Sequence, residues 1–220
     1  MDAPLLILAS ASPRRVDLLR QLGFHFKVVP SNGAEVHEDH LSAGELAQIN
    51  AYRKARAVSK HHPDAIVIGV DTLVAAEGRI FGKPQDRKEA REMLTFLQGQ
   101  THQVTTAVCL ICLRGHRQKI FFEQTDVMFR RLTAAQIRLY HRQVNPLDKA
   151  GAYGIQEKGE MLVESVAGSY SNVVGLPMER LGVELGAFME GLGVKMAPMA
   201  SRSFLTGKRV VDPSPHRAAG

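Results

Sequence analysis

The sequence predicts an α/β fold, a mixed twisted sheet with helices on both sides and a substrate cleft between two lobes. Three observations carry that expectation. Short, continuously apolar runs such as LLILA (Leu5 to Ala9) and AIVIGVDTLV (Ala65 to Val74) have the pattern of strands covered on both faces. In the first half of the chain these runs alternate with amphipathic stretches of helical length. In the middle, two long β-type segments, about Gln103 to Leu113 and Lys119 to Phe129, are joined by Arg114, Gly115, His116 and Arg117 as a hairpin. Such a pattern places ligands where the two halves meet.

The elements follow in order. After the strand at Leu5 to Ala9, Ser12 serves as an N-cap and Pro13 as the first helical residue. The helix carries Val16, Leu18, Leu19 and Leu22 inward and stops at Gly23. Phe26 to Val29 reads as a second strand, followed by a polar loop holding Glu35, His37, Glu38, Asp39 and His40. Ser42 with Glu45 makes a capping box that opens a long amphipathic helix to about Lys60. The buried strand at Ala65 to Val74 comes next. Asp86 and Glu89 then open a helix that ends at Gly99, ahead of the central hairpin. Thr133 and Gln136 form a second capping box, and the Gly-rich KAGAYGIQEKG precedes a strand at Met161 to Val166. Pro177 begins a last helix that ends near Gly191.

Composition narrows the class. At 220 residues, 45% hydrophobic and 23% charged, the chain is long enough to bury a sizeable core and has ordinary globular composition. The net charge of +6 invites a nucleic-acid partner, but its location argues against one. Past Leu192 lie five basic residues (Lys195, Arg202, Lys208, Arg209, Arg217) against Asp212, which leaves only +2 for everything before. The expected organisation is a domain over 1–191 and a basic, solvated, flexible tail over 192–220. A nucleic-acid module would cluster its charge on the folded part beside exposed aromatics, and this chain has no Trp. No run reaches the roughly 18 apolar residues of a membrane span, and the start at Met1 lacks the pattern of a signal peptide. A soluble, cytoplasmic protein is expected. Cys109 and Cys112, three apart in one strand, should sit reduced on opposite faces of the sheet. The nine histidines show no HExxH pattern, and no Walker loop, GxSxG or GxGxxG occurs.

Five features can carry chemistry. SASPRR, Ser10 to Arg15, lies where a strand turns into a helix, and such a junction offers free N–H groups to phosphate. Arg14 and Arg15 in the first helical turn oppose the helix dipole, which makes sense if an anion docks there. The plain alternative is a pair of solvated arginines. Asp71, with Thr72, interrupts an apolar strand, where a charge is costly unless it emerges at the strand's carboxyl end or binds a cation. The alternative is a hydrogen-bonded turn residue. Lys83 sits between Gly82 and Pro84 on a constrained loop, and Lys54 lies on the long helix, where most lysines are solvated. At Tyr153, Gly154, Ile155 and Gln156, glycines on both sides of the aromatic let the backbone come close to a ligand. The Gln156 amide offers a donor and an acceptor side by side, matching the edge of a pyrimidine base. The plain alternative for the glutamine is a polar residue ending a turn.

In order and spacing, LASASPRR, the Lys54-Ala55 pair, VDTLV, GKP, DKAGAYGIQ and SNVVGLP resemble the Maf family of nucleoside triphosphate pyrophosphatases, over about Leu5 to Gly191. The resemblance implies a Maf/ITPase-like fold, a homodimer, and hydrolysis of a nucleoside triphosphate to the monophosphate and pyrophosphate. It matches Asp71 to the family's general base, and Glu35, Lys54 and Lys83 to its other catalytic cleft residues. Asp71 and Glu35 become the ligands of a Mg²⁺ or Mn²⁺ cofactor. Ser10, Arg14 and Arg15 match the phosphate-binding start, while Arg14, Thr72 and Gln156 fall where the family sets base preference. Gln156 resembles the branch acting on dTTP and UTP. Two departures stand out: Glu157 follows Gln156 where relatives commonly have glycine, and the loop around Glu35 holds one of its paired acids. The alternative is a nucleotide-binding regulator of cell division without essential turnover. It would keep the arginines but has no need for an acid inside a buried strand.

Overall fold

The computed structural model describes residues 4–194 apart from Ala34, His37 and Asp39. The loop positions His37 and Asp39, and the tail from Lys195 onward, lie outside the described residues. The chain runs through β1 (Leu6–Leu8), α1 (Pro13–Gln21), β2 (Phe26–Val28), α2 (Ala43–Ser59), β3 (Ile66–Ala76) and β4 (Arg79–Phe81). It continues through α3 (Arg87–Leu97), the hairpin β5 (Thr101–Cys112) and β6 (Arg117–Phe129), and α4 (Ala134–Gln143). Two short 3-10 turns, β7 (Val163–Ala167), α5 (Tyr170–Val174) and α6 (Met178–Glu190) complete it.

The expected capping chemistry is present at α2 and α4, where Ser42 with Glu45 and Thr133 with Gln136 form reciprocal boxes. Asp86 caps α3 by accepting from the amides of Lys88 and Glu89. At α1 the expectation meets a difference. Ser12 holds the N-cap position, but its side chain accepts nothing from the helix. Two elements were not legible in the sequence. Glu77 and Gly78 both have positive φ, 48° and 76°, as a tight hairpin turn requires, and they fold β4 back onto β3. Ser169 caps the short α5.

Among the described residues the sheet has seven strands in the order β2-β1-β3-β5-β6-β7, with β4 paired to the far end of β3. β2, β1 and β3 are parallel, and the remaining pairings are antiparallel. Strand periodicity sorts the core. Leu6, Leu8, Ile66, Ile68, Val70, Val108 and Leu110 face α1 and α6, while Ile7, Val67, Ala107 and Ile111 face α2. Cys112 falls in the first group and Cys109 in the second, both free, as their spacing predicts. A third core, with Val74, Val104, Phe129, Leu94 and Tyr140, joins the distal ends of β3, β5 and β6 to α3 and α4 and makes the second lobe.

The cleft follows from strand lengths. β1 ends at Leu8, opposite Ile68, and β4 begins to pair only at Val74. Between these points one edge of β3 has no partner strand among the described residues. Asp71 and Thr72 lie in that notch. Asp71 is therefore not at the carboxyl end of its strand, as the sequence suggested, but in the middle of an eleven-residue one. The physical logic survives in altered form, because the parallel neighbours end just before it and β3 alone runs on.

Candidate active site

Asp71 owes its surroundings to a close helix–strand approach. Gly69 lies under α2, where an added Cβ would overlap the Ala51 carbonyl oxygen and stand 2.6 Å from the Ala55 nitrogen. With Ala47, Ala51 and Ala55 forming a small-residue stripe one turn apart, α2 settles directly on β3. Lys54 then reaches the notch. Its Nζ donates to Asp71 Oδ1 at 2.5 Å and to Glu35 Oε1 at 2.8 Å. The Lys54 side chain is 14% exposed and that of Asp71 only 7%. Far from a solvated helix lysine, Lys54 is the cation that joins two carboxylates. The Glu35 loop is pinned from the same helix, since buried Asn50 accepts from the Val36 amide and donates to its carbonyl.

Burial pushes the Asp71 carboxyl above its ordinary value, against the opposing pull of Lys54 and Arg15. Its second oxygen, Oδ2, is buried and without a hydrogen-bond partner among the described residues. A buried, unpaired carboxylate oxygen is costly and points to a ligand. The donor set here is two carboxylates, with no group of three or more His, Cys, Asp or Glu among the described residues. A pair of carboxylates fits Mg²⁺ or Mn²⁺, which take one or two protein carboxylates and complete their shell with water and phosphate.

The two arginines part company. Arg15 turns inward and donates to the carbonyl oxygens of Gly175 and Val70, to Ser10 Oγ and to Thr72 Oγ1. It ties α1 to the notch and to the end of α5, and burial draws its pKa below the usual arginine value. Thr72 Oγ1 also meets Thr106 Oγ1 at 3.0 Å. Arg14 instead crosses the mouth of the cleft to Asp148 and Glu157.

Two adjoining hollows make up the cleft, and Ser12, Arg14, Arg15, Glu35, Lys54, Lys83 and Asp148 line both. One runs over Ser10 and the uncapped start of α1. The other reaches Asp71, Thr72, Tyr153 and Gln156. Lys83 is exposed at the rim with no ion partner among the described residues. Gln156 is exposed too, on a turn closed by a hydrogen bond from the Glu157 amide to the Gly154 carbonyl. Tyr140 fixes that turn, its hydroxyl accepting from the Gly154 amide and donating to its carbonyl.

All nine residues singled out in the sequence thus meet around one cleft. Asn50, Asp148, Lys149 and Tyr140 were not among them. Asn50 was legible as a polar residue on the apolar face of an amphipathic helix, and Asp148 and Lys149 stand inside the DKAGAYGIQ motif. Tyr140 gave no signal beyond the ordinary pattern of a core aromatic.

Comparison with known proteins identifies the family. The model of the Maf family, described as Maf-like protein, matches residues 5–188. The chain belongs to the Maf family. A relative named dTTP/UTP pyrophosphatase, from Symbiobacterium thermophilum, is 50% identical over 177 residues, which is 80% of this chain and 89% of that protein. Another of the same name, from Bacillus cytotoxicus, is 44% identical over 185 residues, 84% of this chain and 96% of that one. A solved structure titled as the Staphylococcus aureus Ham1 protein covers 84% of this Maf chain and 98% of its own, with a TM-score of 0.44 and 16% identity.

Proposed function

We propose that this Maf protein hydrolyses dTTP and UTP to the nucleoside monophosphate and pyrophosphate. The observation that carries the reading is Asp71, a buried carboxylate with one unpaired oxygen in the notch of β3 and cations on either side. The roughly four negative charges of a nucleoside triphosphate need such cations, and the chemistry is largely positioning and charge stabilisation. The triphosphate lies over the uncapped start of α1, met by Arg14, Lys83 and Lys54. The base lies against Thr72 and Gln156. Asp71, kept a stronger base by burial, orients water toward the α-phosphorus and accepts its proton as pyrophosphate leaves. Arg15 and Ser10 serve by holding Thr72 and α1 in place.

Asp71 and Glu35 would hold a Mg²⁺ or Mn²⁺ ion. When bound, the ion supplies charge neutralisation on the phosphates and a lowered pKa for water. A homodimer working in the cytoplasm belongs to the same proposal and rests on the family. Among the described residues no helix is long and apolar enough to cross a membrane.

The test is release of pyrophosphate from dTTP with added Mg²⁺ or Mn²⁺, in the natural protein and in Asp71→Asn. The amide keeps the shape while losing the base, so hydrolysis should vanish and nucleotide binding should survive. Turnover by the variant near the natural rate would remove Asp71 from this role.

A further inference from the structure

Resting on the reading of the cleft as a triphosphate site, we propose that Glu157, together with Asp148, competes with the substrate's phosphates for Arg14. The four groups form an alternating square of charge. Arg14 Nη1 lies 3.2 Å from Asp148 Oδ2 and 3.4 Å from Glu157 Oε1, and its Nη2 donates to the Asp148 carbonyl at 3.3 Å. On the other side, Lys149 Nζ lies 2.8 Å from Asp148 Oδ1 and 3.0 Å from Glu157 Oε1, and donates to the Asn145 carbonyl at 2.8 Å.

The two cations are not equivalent. The Lys149 side chain is 4% exposed and fixed on the second lobe, in the same segment as both acids. That of Arg14 is 23% exposed, comes from the other lobe, and makes the longer contacts. If Arg14 leaves, each carboxylate keeps Lys149 as its partner, so neither is stranded. Departing Arg14 carries its full charge toward the uncapped start of α1, which lies in the adjoining hollow. The exchange therefore costs the acids little, while the arginine's affinity for phosphate is set by how strongly the acids hold it. Asp148 is well held: burial alone would raise its pKa, but hydrogen bonds from Lys149 and Arg14 bring it below the ordinary value.

The sign is then fixed. Neutralising an acid of the square leaves Arg14 less compensated, and anions should bind more tightly. The probe is inorganic pyrophosphate, titrated calorimetrically into the full-length protein and into Glu157→Gln, Asp148→Asn, Arg14→Ala and the Arg14→Ala/Glu157→Gln double variant. Glu157→Gln should bind pyrophosphate about five-fold more tightly, the scale set by a partly exposed ion pair. Asp148→Asn should shift in the same direction, and the gain from Glu157→Gln should disappear in the Arg14→Ala background. Equal or weaker binding in Glu157→Gln overturns the competition, as does a gain that persists without Arg14. If dTTP cleavage persists while Glu157→Gln leaves pyrophosphate binding unchanged, this inference falls and the activity stands. Tighter binding without any dTTP cleavage does the opposite, keeping the competition and removing the activity. No pyrophosphate binding by any variant, together with no dTTP cleavage, sinks both.

Discussion

Gln156 and His102 show how differently two polar side chains are placed in one lobe. Gln156 is exposed on the cleft wall, presented by a turn whose glycine peptide is clamped by Tyr140. Its amide can pair with the N3–H and a neighbouring carbonyl of thymine or uracil at once, whereas cytosine reverses that pattern. One bidentate amide contact discriminates by roughly 1–3 kcal/mol. Gln156→Ala should therefore lower kcat/KM for dTTP and UTP by about ten- to a hundred-fold more than it weakens pyrophosphate binding. Side-by-side kcat/KM values for the four bases would test this, and an unchanged pyrimidine preference would count against the contact. His102 is buried against Phe129 with its Nε2 at 2.8 Å from the Tyr153 hydroxyl. Burial draws its pKa from 6.5 down to about 4. Above pH 6.5 neither the folded nor the unfolded chain protonates it, so it has no effect there. As pH falls from 6.5 to about 4 the unfolded chain takes up the proton first, and stability falls by roughly 3 kcal/mol. Denaturant unfolding of His102→Asn across that window should show a flatter slope than the natural protein. An identical slope would remove His102 as its source.

At the scale of the element, α2 and β3 act as one piece. The missing side chain at Gly69 lets the helix lie against the strand, and that closeness is what carries Lys54 to Asp71. Gly69→Ala places a methyl group against helix backbone, which cannot rotate aside. It should cost about 1–3 kcal/mol of stability, the range for an overpacked core. Activity should fall further than that loss explains, measured under conditions where the variant is still folded. Full activity in a folded variant would mean that Lys54 does not depend on this approach. The sequence announced α2 clearly through its capping box and amphipathic pattern, and it announced β3 through an apolar run interrupted by one acid. It did not show where β1 pairs along β3, because strand pairing depends on chain segments far apart. For the same reason Asp71 read as a strand end. β4 was missed because a three-residue strand is too short to show alternation, although Glu77 and Gly78 marked its turn. Arg15 and Arg14 are neighbours of identical type, and only the third dimension sends one to the carbonyl of Gly175 and the other across the cleft.

At the scale of the whole molecule, the two lobes are not beads joined by a linker. β3, β5 and β6, of 11, 12 and 13 residues, run without a break from the first lobe into the second. Leu192 and Val194, past the end of α6, still pack on the first core. A continuous sheet transmits strain directly, because separating the lobes means breaking ladder hydrogen bonds or twisting three strands together. The notch in β3 interrupts only one edge of that sheet. It gives the protein a binding cleft without giving it a hinge, and the lobes should therefore share a single fate on heating. Scanning calorimetry should record one transition whose calorimetric and van't Hoff enthalpies agree. Two resolved peaks would mean that each lobe melts alone. If there is only one peak, nucleotide bound in the notch should raise the melting temperature of the entire chain, so that protection spreads to α1 and α4 alike, although they stand on opposite sides of the gap.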